Sequence, residues 1–168
     1  MFSVGEKIIY GKKGVCVVKS IGSPGFSDGE DRLYYTLSPQ NSTETIFVPV
    51  DSGVFMRPVI TRAEALELID RIPEIESGTE LDVVITKKEL PEFYKKFFET
   101  HSCEDLVRLI LIAKRRTERA NENKRKPSQT EREFIKGAEN ILYGELAEAL
   151  GIGKGEVADL IADRTGKR

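Results

Sequence analysis

The sequence contains no tryptophan, one histidine and two cysteines among its 168 residues. Cys16 and Cys103 are far apart and have no metal-ligand spacing, and His101 alone cannot complete a four-ligand zinc site with them. We therefore expect no metal and no cofactor. Two free thiols are typical of a cytoplasmic protein.

Long hydrophobic runs are also missing. No apolar run approaches the roughly 18 residues that a membrane-spanning helix needs, and the first residues lack the pattern of a signal peptide. There is no phosphate-binding glycine loop, nucleophile elbow or cluster of metal ligands. The sequence therefore predicts a protein outside the membrane, without catalytic residues and without a small-molecule substrate.

Charge is present but unevenly distributed. Residues 1–85 contain 8 basic and 13 acidic residues, whereas residues 86–168 contain 18 basic and 15 acidic residues. Within residues 114–126 there are 7 basic and 2 acidic residues, and we expect this run to be a mobile loop between helices. A change of sign along the chain indicates two modules with different partners.

Short strands separated by turn residues are predicted for the first 58 residues. They have the sequences VGEKIIY, VCVVKSI, LYYTLS, TETIFVPV and VFMR. Five short strands predict a small all-β barrel of the Tudor or SH3 type. The first two strands are apolar on both faces, so a second cover is expected for them, to which a partner protein could contribute.

The pattern changes to helices after this region. Thr61 and Glu64 form a capping-box pattern that starts a helix ending before Pro73. We predict a barrel with its closing helix at 1–72, a polar linker at 73–83 and an all-α helical bundle at 84–168. In the bundle, Pro91 and Ser102 mark helix starts, and the apolar segment 106–113 predicts a central helix.

Three segments together resemble the CarD/CdnL family of bacterial transcription regulators. They are VGEKIIYGKKGVCVV (4–18), IFVPV (46–50) and ENILYGELAEALGI (139–152). The first domain of that family is shared with the polymerase-interacting module of the transcription-repair coupling factor. The resemblance implies that the barrel binds the RNA polymerase β subunit. It also implies that the helical domain contacts promoter DNA and stabilises the open complex.

The resemblance places polymerase binding on the IFVPV strand. The expected contact residues are Thr45, Ile46, Phe47, Val48 and Pro49. Pro49 cannot donate to a central ladder, which indicates an edge strand that a partner strand could extend. Phe47 alternates with Ile46 and Val48, so it either faces outward or packs under the helix at 62–72. Family members often carry arginine at this position, and phenylalanine would replace a charged contact by an apolar one.

The resemblance places DNA binding at the start of the helical domain. The expected contact residues are Lys87, Lys88, Leu90, Phe93, Lys95 and Lys96. Family members commonly insert a tryptophan beside the transcription bubble, and Leu90 falls at about that position, with Phe93 one turn later. Leu90 is either an aliphatic wedge or a core residue. The lysines suit phosphate contact, with an ordinary solvated helix face as the alternative.

Residues 145–164 offer an alternative function. Their pattern fits a helix-turn-helix, which would make the protein a sequence-specific DNA-binding regulator. The second helix opposes this interpretation, because Glu156, Asp159 and Asp163 would meet phosphates with like charge. The other interpretation is a closing helix pair that packs on the bundle.

Overall fold

The computed structural model describes residues 1–25 and 31–167, which form two compact units, Met1–Val59 and Ile60–Arg168. The first unit contains the strands and the second contains the helices. The helix that we attached to the barrel lies in the second unit, so the observed division precedes it. The predicted linker at 73–83 also begins inside a helix rather than after one.

Five strands are described in the first unit, in residues 1–25 and 31–59, and their number agrees with the prediction. They are β1 (Lys7–Tyr10), β2 (Gly14–Gly22), β3 (Tyr34–Pro39), β4 (Ile46–Pro49) and β5 (Met56–Pro58). They pair antiparallel in the order β4-β3-β2-β1-β5. Within the described residues the sheet is open rather than a closed barrel, because the two short edge strands do not pair with each other.

The hairpin of β1 and β2 is buried on both faces. On one face Ile8 pairs with Cys16, and both belong to the sheet core. On the other face Ile9 pairs with Val15, and these side chains are only 2% and 3% exposed. The doubly apolar pattern therefore reflects burial within the chain, and no partner protein is needed to explain it.

Within residues 60–167 the structure describes six α-helices. They are α1 (Arg62–Asp70), α2 (Ile72–Ser77), α3 (Leu90–Glu99), α4 (Cys103–Glu122), α5 (Gln129–Leu150) and α6 (Val157–Thr165). The predicted capping box at Thr61 and Glu64 is confirmed, and Ser102 and Ser128 cap α4 and α5. Gly151 ends α5 in the left-handed region, with φ of 67°.

Helix α4 is central to the second unit, as its apolar sequence predicted, and it packs against α2, α3 and α5. Beside it lies a buried carboxylate that sequence periodicity did not reveal. Glu145 is 1% exposed and accepts hydrogen bonds from the backbone N–H of Ile60 at 3.0 Å and the Cys103 thiol at 3.1 Å. These bonds satisfy a polar group that would otherwise be costly to bury.

Candidate functional site

Strand β4 is one edge of the sheet, as the position of Pro49 predicted. It pairs with β3 through Leu37 opposite Ile46 and Tyr35 opposite Val48. Among the described residues no strand pairs with its other side. An edge strand of this kind offers backbone donors and acceptors to an incoming strand.

The side chains of β4 alternate between core and surface. Val48 is buried in the sheet core and Ile46 packs against it. Phe47 points to the other face and is 44% exposed. Of the two placements left open for Phe47, the structure shows the exposed one. Thr45 is also exposed and Pro49 is half-buried, so the edge combines exposed apolar surface with a firmly anchored strand.

Ion pairs lie at both ends of this edge. Before β4, Lys13 donates to Glu44 at 2.9 Å, and this hydrogen bond lowers the pKa of the Glu44 carboxyl. After β4, Arg32 pairs with Asp51 at 3.1 Å. Both pairs are solvent-exposed and contribute little to stability. They place charged groups around an apolar centre.

Helix α3 carries most of the predicted DNA-contacting residues, and Leu90 needs a correction. Its side chain is 1% exposed and belongs to the core of the second unit. Leu90 and Tyr94 are four residues apart, on the same face of the helix, and that face is buried. A buried leucine cannot enter a base step. Of the two roles left open for Leu90, the structure therefore shows the core residue, and Leu90 is removed from the expected DNA contacts.

Phe93 is half-buried and packs with other rings. Its ring centroid lies 5.2 Å from that of Tyr94 and 5.4 Å from that of Phe97, in edge-to-face geometry. Such pairs stabilise a core beyond the area they bury. Phe93 therefore contributes to the packing of α3 rather than offering an exposed ring.

The four predicted lysines are all exposed. Lys87 and Lys88 lie in the turn before α3, and Lys95 and Lys96 lie on the helix. Lys95 is 3.7 Å from Glu92 one turn earlier. An exposed pair at this distance is weak and leaves the ammonium group accessible to another anion. The lysines remain candidates for phosphate contact.

A buried network beneath α3 was not predicted. Glu131 is 4% exposed and accepts hydrogen bonds from the Tyr94 hydroxyl at 2.8 Å and from Arg116 Nε. Burial, followed by the carboxylate of Glu131, raises the pKa of Tyr94. The Arg116 guanidinium also donates to the carbonyl oxygens of Val83 at 3.0 Å and Ile85 at 3.4 Å.

This network explains why Ser128 and Glu131, which have the spacing of a capping box, do not form the full motif. Ser128 accepts from the Glu131 backbone N–H, but the Glu131 side chain turns inward to Arg116. The partners are 15 and 37 residues distant in sequence, so local spacing carried no signal of them. The network joins α3, α4 and α5 and, through the carbonyl oxygens of Val83 and Ile85, binds the segment before α3.

The basic run at 114–126 is mostly helical, which corrects the predicted mobile loop. Helix α4 continues to Glu122. Arg115 and Arg119 pair with Asp82 at 3.2 Å and 3.3 Å, and Lys114 pairs with Glu139 at 3.2 Å. These pairs compensate three of the positive charges in the run with carboxylates of the same chain.

The geometry of α5 and α6 does not favour the helix-turn-helix alternative. Arg164 is bound by Asp70 through two hydrogen bonds of 2.9 Å and 2.7 Å, and these bonds lower the pKa of the Asp70 carboxyl. Val157 is fully buried, whereas Asp159 is exposed. The helix therefore closes the bundle and presents acidic rather than base-reading side chains.

Comparison with known proteins identifies the first unit. Residues 2–60 match the family of the CarD-like/TRCF RID domain, which confirms the resemblance for the first unit. Domains of this family are protein-interaction domains that bind the RNA polymerase β subunit. No curated protein matches the chain. Among the described residues, no helix is both long and apolar enough to cross a membrane.

Proposed function

We propose, from the membership of residues 2–60 in the CarD-like/TRCF RID domain family, that the chain regulates transcription by binding the β subunit of RNA polymerase. The observation that carries this proposal is the matched domain itself, with its open sheet edge at β4. A strand of the partner would extend the sheet along this edge. Phe47 would provide the apolar contact beside it.

The arrangement of β4 supports this mode of binding. Ile46 and Val48 anchor the strand in the core, so the edge is held in place before the partner arrives. A preorganised edge lowers the entropy lost on binding. Exposed aromatic side chains surrounded by polar groups are typical centres of protein interfaces. Phe47, between the ion pairs of Glu44 and Asp51, has this setting.

For the second unit we propose a contact with promoter DNA that stabilises the open complex. Lys87, Lys88, Lys95 and Lys96 would contact phosphates around the start of α3. Phosphate contacts position a protein on DNA without reading its sequence. Because Leu90 is buried, the proposed contact relies on the phosphate backbone of the DNA rather than on a side chain inserted between bases.

The polymerase contact can be tested with a pair of matched substitutions in the full chain. Phe47 is 44% exposed at one edge of the sheet, and Val54 is 43% exposed just before β5 at the opposite edge. Phe47→Asp removes apolar contact and adds charge at the proposed interface. We expect it to weaken binding to purified β subunit about thirtyfold, the typical effect of losing a central interface residue. Val54→Asp should bind like the wild type.

Binding is measured by surface plasmon resonance, and circular dichroism establishes that both variants fold. Equal affinity of the folded Phe47→Asp variant and the wild type would remove Phe47 from the interface. Equal losses in both variants would contradict an interface centred on β4. No binding of the wild-type chain would overturn the proposed function itself.

A further inference from the structure

A basic hollow lies between the start of α3, the end of α4 and the start of α5. We use this name for the space of about 600 Å³ bounded by Lys87 and Leu90, by Arg116 and Arg119, and by Arg125 and Lys126. An adjoining space shares Lys87, Leu90 and Lys126 and extends to Arg132. The volume is in the range of small-ligand sites, roughly 300–1,000 Å³.

The lining of the basic hollow is strongly positive. Six cationic side chains and one carboxylate, Glu131, line the two spaces, and two of the cations, Arg116 and Arg119, are paired with Glu131 and Asp82. Glu131 is already bound by Arg116 and Tyr94, so its charge is compensated inside the protein. Lys87, Arg125 and Lys126 are exposed and have no ion-pair partner among residues 1–25 and 31–167. The hollow therefore has charge available for an anion.

The backbone after α4 has a fixed conformation at the positions that precede and include Arg125. Lys124 is in the left-handed region with φ of 54°, and its N–H donates to the carbonyl of Asn121 at 3.0 Å. The N–H of Arg125 donates to the carbonyl of Ala120 at 2.7 Å. This is the Schellman pattern, which caps the last carbonyls of α4. It turns the chain so that Arg125 and Lys126 border the hollow.

The start of α5 adds to the positive potential. Ser128, which caps this 22-residue helix, lines both spaces, and its neighbours Gln129 and Thr130 line the second. The N-terminus of a long helix favours negative charge through its dipole and its backbone N–H groups. The dipole and the cationic side chains thus act on the same space.

We infer that the basic hollow binds a small ligand that carries a chain of linked phosphates, such as a nucleoside triphosphate. Cations on opposite walls of a concave site suit a compact polyanion, whose adjacent phosphates they can contact together. A DNA duplex instead spreads its charges along its outer backbone, at about one per 3.4 Å on each strand. The exposed lysines of α3 suit that arrangement better than a hollow does.

The ligand site goes beyond the proposed polymerase and DNA contacts and does not depend on them. Calorimetry of the full chain, without divalent cations, would use inorganic triphosphate as the probe. Orthophosphate at matched ionic strength is the comparison. We expect triphosphate to bind at least about tenfold more tightly, because linked phosphates engage several cations at once.

The test variant is Arg125→Ala/Lys126→Ala, which removes two cations from the hollow. We expect it to weaken triphosphate binding about tenfold or more, since two charge-assisted contacts are lost. The matched control is Lys19→Ala/Lys136→Ala, which removes two exposed cations that do not line the hollow. The control should bind triphosphate like the wild type.

Three outcomes would overturn the inference. The first is that the wild type binds no triphosphate when the probe is at about 1 mM, on the order of a hundredfold excess over the protein. The second is an equal loss of triphosphate affinity in the two double variants. The third is that triphosphate binds no more tightly than orthophosphate. A separate binding measurement uses a short DNA duplex in place of triphosphate. If the Arg125→Ala/Lys126→Ala variant loses duplex binding while the wild type binds no triphosphate, the hollow is a DNA-backbone surface instead.

Discussion

The thiol of Cys16 lies in the sheet core with no exposed surface. Burial, assisted by the negative charge of Glu44, raises the pKa of this thiol to about 11. The thiolate is the reactive form, so Cys16 is chemically quiet while the sheet is folded. Because the unfolded thiol loses its proton near pH 8.5, the contribution of Cys16 to stability falls as the pH rises above that value.

Labelling with a disulfide reagent at pH 8 tests whether the Cys16 thiol is unreactive in the folded protein. The measurement uses a Cys103→Ser background, in which Cys16 is the single thiol. The serine hydroxyl replaces the Cys103 thiol as the hydrogen-bond donor to Glu145. We expect native Cys16 to react at least about a hundredfold more slowly than in urea, from the pKa difference alone. A native rate within about tenfold of the unfolded rate would contradict a buried, protonated thiol.

At the scale of elements, the junction between α4 and α5 combines capping with strain. The left-handed position after α4 is occupied by Lys124, although glycine is the residue that adopts this conformation without cost. The side chains that follow line the basic hollow. Backbone strain of this kind is often kept at functional positions.

Replacing Lys124 by glycine should therefore stabilise the second unit by about 0.5–1 kcal/mol, because the Cβ that disfavours the left-handed region is removed. Urea unfolding monitored by the helical circular dichroism signal gives the free energy of unfolding. Lys124→Ala is the matched control, since it removes the same charge but keeps the Cβ. An equal gain in both variants would attribute the effect to charge rather than to backbone conformation.

At the scale of the whole molecule, the net charge of −2 conceals a second unit that is basic around α3 and at the end of α4. The overall charge does not favour binding to DNA. Any contact must come from local groups such as Lys95 and Lys96, whose neighbouring carboxylate, Glu92, is only weakly paired. We expect weak binding that is nearly independent of sequence.

Salt dependence tests this expectation. If Lys95 and Lys96 each contact a phosphate, Lys95→Ala/Lys96→Ala should reduce the slope of log K against log salt by about 1.8, at about 0.9 per phosphate. Fluorescence anisotropy with a labelled duplex gives the slope, and Lys19→Ala/Lys136→Ala should leave it unchanged. Tight, salt-resistant binding to one duplex sequence would instead support the helix-turn-helix alternative.

Local sequence patterns were sufficient to predict the features that depend on near neighbours. The alternation of Ile46, Phe47 and Val48 fixed the faces of β4, and Pro49 marked it as an edge. The capping residue Thr61 fixed the start of α1. These signals are local because strand alternation, proline geometry and helix caps each involve only a few consecutive residues.

Features that depend on distant residues followed from the packing of the helices. This packing buried Leu90, where the sequence allowed core or wedge, because the face it shares with Tyr94 packs into the bundle. It turned Glu131 away from its helix cap to Arg116, and it gathered Lys87 and Lys126 around one hollow. No periodicity in the sequence predicts these contacts between distant residues, because they depend on how the helices pack against one another.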